Sequence, residues 1–335
     1  MAKIKAIAYY LPDTTLSNHQ ISKDFPEWST DRIEGKLGIR SRHIATSEST
    51  SDLAVKAAEQ LFAEYGINPT EIDFVILCTQ SPDYFLPTTA CLVQDRLGIP
   101  TSAGAFDFNL GCSGYVYGLA IAKGLVAGGI GSNILLITSE RYTKFIHKKD
   151  KGNRAIFGDG ATATLISTEG FADILDFELG TDGQGADNLI VKNGATLHPD
   201  RDGEDVVDGA GSIYNPNNLY MDGPAIFKFT TEAVPKLVNA TLVKNNLTLD
   251  DIDLTIFHQA NNLILEALRK RVGIPIEKYY IDIMETGNTV SSTIPIAIKQ
   301  SIRANKLTGN VLLTGFGVGY SWGGCIIKVD NKQIK

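Results

Sequence analysis

Two hydrophobic periods alternate along the chain. Unbroken apolar runs such as FVILC (Phe74–Cys78), ILLIT (Ile134–Thr138) and CIIKV (Cys325–Val329) read as strands buried on both faces, and the segments between them carry apolar residues at helical spacing. This alternation predicts an α/β fold.

The pattern also repeats. EYGINPTEIDFVILCTQS (Glu64–Ser81) aligns without a gap on KNNLTLDDIDLTIFHQAN (Lys244–Asn261), at an offset of 252 − 72 = 180. DRLGIP from Asp95 matches KRVGIP from Lys270, and FDFNLGCS from Phe106 matches IDIMETGNT from Ile281. NILLITSE from Asn133 matches NVLLTGFG from Asn310. Blocks that keep one order with small indels indicate a duplicated αβ unit. The expected architecture is two halves, residues 1–170 and 171–335, related by a pseudo-twofold axis, with the chemistry where equivalent loops meet. The segment Lys192–Pro224 falls outside the repeat, and its Pro, Gly and Asp content predicts an irregular excursion of the kind used as a lid or binding loop. Within it, Asp200–Asp205 lacks the spacing of a calcium loop and reads as a solvated face, so no metal is assigned.

Composition narrows the classes. A chain of 335 residues with 43% hydrophobic and 21% charged positions is globular and long enough for a large layered core. A net charge of −7 without a dense basic run argues against nucleic-acid or anionic-membrane binding. The start MAKIKAIAYYLPDTT shows no cleavage site, and Tyr115–Ile130 is broken by Lys123 and four glycines. A soluble, cytoplasmic protein is expected. Cys78, Cys91, Cys112 and Cys325 form no CxxC pair, which suits reduced thiols.

Three residues stand out chemically. Cys112, in NLGCSGYVYG, follows a strand and opens a helix, where the helix dipole lowers a thiol pKa toward the thiolate. Alone it reads more readily as a buried structural cysteine. His258 ends the strand DLTIF, and Asn288 stands at a helix start where it would serve as an N-cap. The repeat changes the weighting, because Asn288 is the copy of Cys112 and His258 the copy of Cys78. A nucleophile, a base and an amide donor on one axis suit acyl transfer. The glycine run GFGVGYSWGG (Gly315–Gly324) precedes a strand instead of opening a helix, so it reads as a turn whose amides approach a carbonyl, and not as a dinucleotide site.

With these residues in place, the chain resembles the β-ketoacyl-ACP synthase III family of the thiolase superfamily, through GIRSRHIA (Gly38–Ala45), the Cys112 helix, FGDGATA (Phe157–Ala163), FHQAN, GNTVSSTIP and GFGVGYSWG. The resemblance implies a thiolase-like five-layered αβαβα fold, a homodimer, no cofactor, and a catalytic triad of Cys112, His258 and Asn288. It implies acylation of Cys112 by a starter thioester, then decarboxylative condensation with malonyl-ACP, with the amides of Cys112 and Val318 as oxyanion hole. It assigns Leu86 and Phe316 to the acyl pocket, Leu86 as a gate from the partner chain, and Arg32, Lys36, Lys228 and Asn261 to CoA or carrier binding. The sequence departs from the family in having Val318 where glycine is usual, Arg32 and Lys36 where Trp and Arg are usual, with Trp28 a turn earlier, and Leu263 after HQAN. Rival readings are a starter-unit synthase or acyltransferase of secondary-metabolite or polysaccharide biosynthesis on this scaffold, and a non-catalytic carrier-binding subunit. A degradative thiolase would need a second catalytic cysteine, which the apolar context of Cys325 does not suggest.

Overall fold

The computed structural model describes residues 2–207 and 211–334. In chain order its main elements are β1 (Lys3–Tyr10), α1 (Thr50–Tyr65), β2 (Phe74–Cys78), α2 (Thr89–Arg96), β3 (Gly104–Phe108), α3 (Gly114–Ala127), β4 (Asn133–Glu140) and β5 (Gly160–Ser167). They continue with β6 (Ala172–Thr181), α4 (Gly223–Lys244), β7 (Leu254–Phe257), α5 (Asn262–Val272), α6 (Thr293–Arg303), β8 (Gly309–Gly317) and β9 (Ser321–Val329). The strands hydrogen-bond in the order β7-β8-β9-β6-β1-β5-β4-β2-β3. Only two residue pairs, Lys3 with Asp173 and Ile4 with Ala172, join β1 to β6, so the order divides into two sheets that meet at one corner.

Period-two burial assigns each face. Ile76, Ile134 and Leu136 of one sheet and Ile256, Val311, Leu313 and Ile327 of the other all face α3 and α6. The alternate residues Val75, Leu77, Leu135 and Ile137 pack on α1 and α2, and Phe257, Leu312 and Ile326 pack on α4 and α5. The result is five layers, αβαβα. Helix α3 is squeezed between two sheets, which explains why GYVYGLAIAKGLVA is apolar with small residues. At Gly118 an added Cβ would lie 2.6 Å from Leu136 Cδ1.

Registers of the two sheets are equivalent. Phe74 pairs with Ile134, and their counterparts Leu254 and Val311 also pair. The repeated Ile-Asp step has a structural reason. Asp73 Oδ2 accepts from the Asn133 amide at 2.9 Å, and Asp253 Oδ2 from the Asn310 amide at 2.8 Å, locking the start of each parallel pair.

Two expectations are corrected. The copy of the β3 strand, around Ile281, forms no ladder; its backbone joins β7 at the bridge of Thr255 with Tyr279 and through the Tyr280 amide donated to Thr255. The excursion Lys192–Pro224, whose residues 208–210 lie outside the described part, is a partly ordered ribbon and not irregular throughout. Leu219–Met221 pairs with Leu189–Val191, and Val206–Val207 with Ile213–Tyr214. Apolar alternation in short pieces between turn residues was hidden by the glycine and aspartate content.

Candidate active site

Cys112 lies in the loop joining β3 to α3, and glycines let other backbones close on it. A Cβ on Gly317 would stand 2.9 Å from both Cys112 Cβ and Sγ, and one on Gly315 2.8 Å from the Cys112 carbonyl oxygen. Ser113 Oγ contacts Ser321 Oγ at 2.6 Å, and Cys78 Sγ donates to the Leu110 carbonyl at 3.0 Å, so the loop is held from β9 and from β2. The backbone amides of Cys112 and Val318 both act on the sulfur to favour its thiolate.

Asn288 comes from the other half. Its amide donates to Ile156 O at 2.9 Å and its carbonyl accepts from Gly158 at 3.0 Å, so residues 156–158 clamp its backbone. Its Oδ1 accepts from the Val290 amide at 2.9 Å, which turns Nδ2 toward His258 Nε2, 3.5 Å away. Helix α6 starts only at Thr293, after a turn of 3-10 helix at Val290–Ser292 whose N-cap is Thr289, so Asn288 is not the helix cap its position suggested; its bond to the Val290 amide is a local turn that leaves its own amide group free to face the site. His258, just beyond β7, has Nδ1 2.7 Å from Thr293 Oγ1 and the Phe316 ring edge-on at 5.7 Å.

A cavity of about 540 Å³ joins these groups: Cys112, His258, Asn288 and Phe316 line it, with Phe157, Leu189 and Ile226 on the apolar wall and Trp28, Lys36 and Asn261 among its other lining residues. Asn261 is first a helix cap, its Oδ1 accepting from the Ile264 amide at 3.0 Å. Arg32 does not line the cavity, and Lys228 faces a separate groove with Glu232 and Lys236. Leu86 is 87% exposed and outside the cavity of its own chain. Cys325 is buried in the central core, away from the site.

Electrostatics overturn one expectation. The Cys112 thiol is pushed up to about 12, by burial first and the nearby Glu140 second, while the amides of Cys112 and Val318 pull the other way. Desolvation of the thiolate outweighs the helix start. Burial likewise lowers His258 to about 3, so the imidazole is neutral at ordinary pH, with a backbone contact to Val290 acting weakly in the opposite direction. Glu140 is raised to about 8 by burial, although it accepts from the Gln80 amide, Ser81 and Ser291.

Sequence reasoning missed Glu140, Thr293 and Tyr142. Tyr142 packs on Phe157 at 5.0 Å in the apolar cluster that also holds Cys112. The carboxylate ending the otherwise apolar NILLITSE was the available signal for Glu140. Among the described residues no group of three or more His, Cys, Asp or Glu could hold a metal, and no helix is long and apolar enough to cross a membrane.

Five layers around two pseudo-symmetric helix starts, one carrying a cysteine and the other an asparagine beside a histidine, define a thiolase-like condensing enzyme. Family models agree: that of 3-oxoacyl-[acyl-carrier-protein (ACP)] synthase III matches residues 106–183, and that of its C-terminal region residues 242–329. The chain is 37% identical over 331 residues to the beta-ketoacyl-[acyl-carrier-protein] synthase III of Clostridium perfringens (strain ATCC 13124), covering 98% of this chain and 99% of that one. A crystal structure of 3-oxoacyl-(acyl-carrier-protein) synthase III superposes with a TM-score of 0.95 at 44% identity, covering 98% of this chain and 99% of the other. The priming beta-ketosynthase of the R1128 polyketide pathway superposes at 0.87 with 27% identity, covering 98% and 96%. The chain belongs to the β-ketoacyl-ACP synthase III family and is an acyltransferase of the condensing type.

Proposed function

We propose that Cys112 is the nucleophile and that His258 and Asn288 hold the carbonyl of the second substrate. The observation that supports this best is the shared cavity that Cys112, His258 and Asn288 line together, in which Asn288 Nδ2 and His258 Nε2 stand 3.5 Å apart. In the first stage Sγ attacks the carbonyl carbon of an acyl thioester; the C–S bond to the donor breaks and the Cys112 proton ends on the leaving thiol. The amides of Cys112 and Val318 stabilise the oxyanion. In the second stage malonyl-ACP binds with its thioester oxygen at His258 and Asn288. The bond to the carboxylate breaks, CO2 leaves, and the electron pair forms a C–C bond to the acyl carbon. Cys112 departs as thiolate and regains a proton from solvent.

Trp28 and Lys36 at the cavity and the absence of Arg32 from it support donor contacts by the former pair, with acyl-CoA or acyl-ACP as donor. A homodimer is supported by β3, an edge strand of half-buried residues, and by the loop tip Tyr84, Phe85 and Leu86, at 61%, 82% and 87% exposure. The free cysteines suit a cytoplasmic setting. The priming ketosynthase is a looser relative, and it keeps open a starter-unit role in a specialised pathway.

Product analysis tests the reading. Incubation with acetyl-CoA and malonyl-ACP is expected to release CO2 and give an acyl chain two carbons longer on the carrier. Transfer of the acetyl group without CO2 release would instead point to a simple acyltransferase.

A further inference from the structure

A carbonyl oxygen is held by His258 and Asn288 together only if each presents an N–H to it. Asn288 is settled, because Oδ1 is engaged by the Val290 amide and Nδ2 faces the ring. A neutral His258 carries a single ring proton, on Nδ1 or on Nε2. The group at Nδ1 is the Thr293 hydroxyl, 2.7 Å away, which is able to donate. Its other acceptor, the Val290 carbonyl, is farther, at 3.1 Å.

We propose that Thr293 is a positioning residue that sets the tautomer of His258: its hydroxyl donates to Nδ1, the ring proton resides on Nε2, and Nε2–H and the Asn288 Nδ2–H become two donors converging on one oxygen. Their 3.5 Å separation is too long for a good hydrogen bond between them and leaves room for an acceptor shared by both. Thr293 is buried and does not line the cavity, so it acts through the imidazole and not on substrate. The inference rests on the roles proposed above for Cys112, His258 and Asn288.

The test is Thr293→Val, which keeps the side-chain shape and removes the hydroxyl, beside Thr293→Ser, which restores it. In the full chain labelled with 15N-histidine, only five histidines contribute, and His258→Gln assigns the relevant pair of signals. Wild type is expected to show the proton on Nε2, Thr293→Val the reversed pattern with the proton on Nδ1, and Thr293→Ser the wild-type pattern. Acylation of Cys112 by acetyl-CoA, read by intact mass, is expected to stay within about twofold, while condensation with malonyl-ACP falls about 10²-fold in kcat, the cost of one lost oxyanion donor. Thr293→Ser is expected to recover most of it. An unchanged tautomer in Thr293→Val, or equal losses in acylation and condensation, would overturn the proposal. Failure of wild type to acylate Cys112 would overturn the underlying reading instead, and the nitrogen shifts would still decide the tautomer.

Discussion

Gly317 faces the sulfur of Cys112 so closely that a methyl group in place of its hydrogen would lie 2.9 Å from Sγ. The glycine run at the end of β8 therefore has a steric purpose beside its turn: it lets a strand end reach the nucleophile and carry Val318 past it. Gly317→Ala is expected to displace Sγ and slow acylation by about 10²-fold, the scale of a misplacement of about 1 Å, with little loss of Tm. Single-turnover acylation kinetics check this, and wild-type rates would show that the sulfur position is not critical.

Asn288→Ala removes one donor from the second carbonyl site but none from the first. Acyl-Cys112 is expected to form normally while condensation falls about 10²- to 10³-fold. Quenched-flow separation of the two stages checks this; parallel losses would place Asn288 in acylation or in folding.

Stability against pH follows from two buried groups of opposite kind. Glu140 titrates near 4.5 when free and near 8 when folded, so between these values the folded protein keeps a proton the unfolded chain has lost. Its contribution is complete below about 4.5 and is lost as pH rises from there through about 8. His258 is lowered from 6.5 to about 3, so its contribution is lost as pH falls through that window. Thermal unfolding across pH 4 to 9 is expected to show Glu140→Gln flattening the fall between about pH 6.5 and 8, where Glu140 acts alone, by about 2–5 °C. A fall in that window as steep as wild type would mean that Glu140 is ionised in the fold.

The exposed tip Tyr84–Leu86 bears on assembly. If it inserts into a second copy, Phe85→Asp or Leu86→Asp is expected to raise the dimer Kd by about 30-fold or more, as for a buried interface anchor. Sedimentation velocity reads this directly, and a wild-type monomer or an unaffected dimer would contradict it.

Much of this fold is legible along the chain because the duplication left marks that a single sequence preserves. The equal offsets of Asp73 and Asp253 are the visible trace of two matching strand registers, and the copy relation of Cys112 to Asn288 pointed to one shared site. What could not be read depends on distance and burial. Ile281–Ile283 resembles Phe106–Phe108 in sequence yet lacks its ladder, since pairing needs a neighbour in register. The thiol moved up and not down because enclosure, which no pattern shows, outweighs the helix start. Thr293 looks like any helix-opening threonine until its hydroxyl is seen against His258 Nδ1. Lys228 lies near the right segment but faces a different groove, one residue from Phe227, which does line the cavity.

The nucleophilic role of Cys112 is the central claim, and intact-protein mass spectrometry addresses it most directly. Wild type and Cys112→Ala would be incubated with a panel of acyl-CoAs and acyl-ACPs. A mass increase equal to one acyl group on wild type and none on Cys112→Ala is the expected result, and it would also name the donor. An adduct that persists in Cys112→Ala, or no adduct from any donor, would contradict the account.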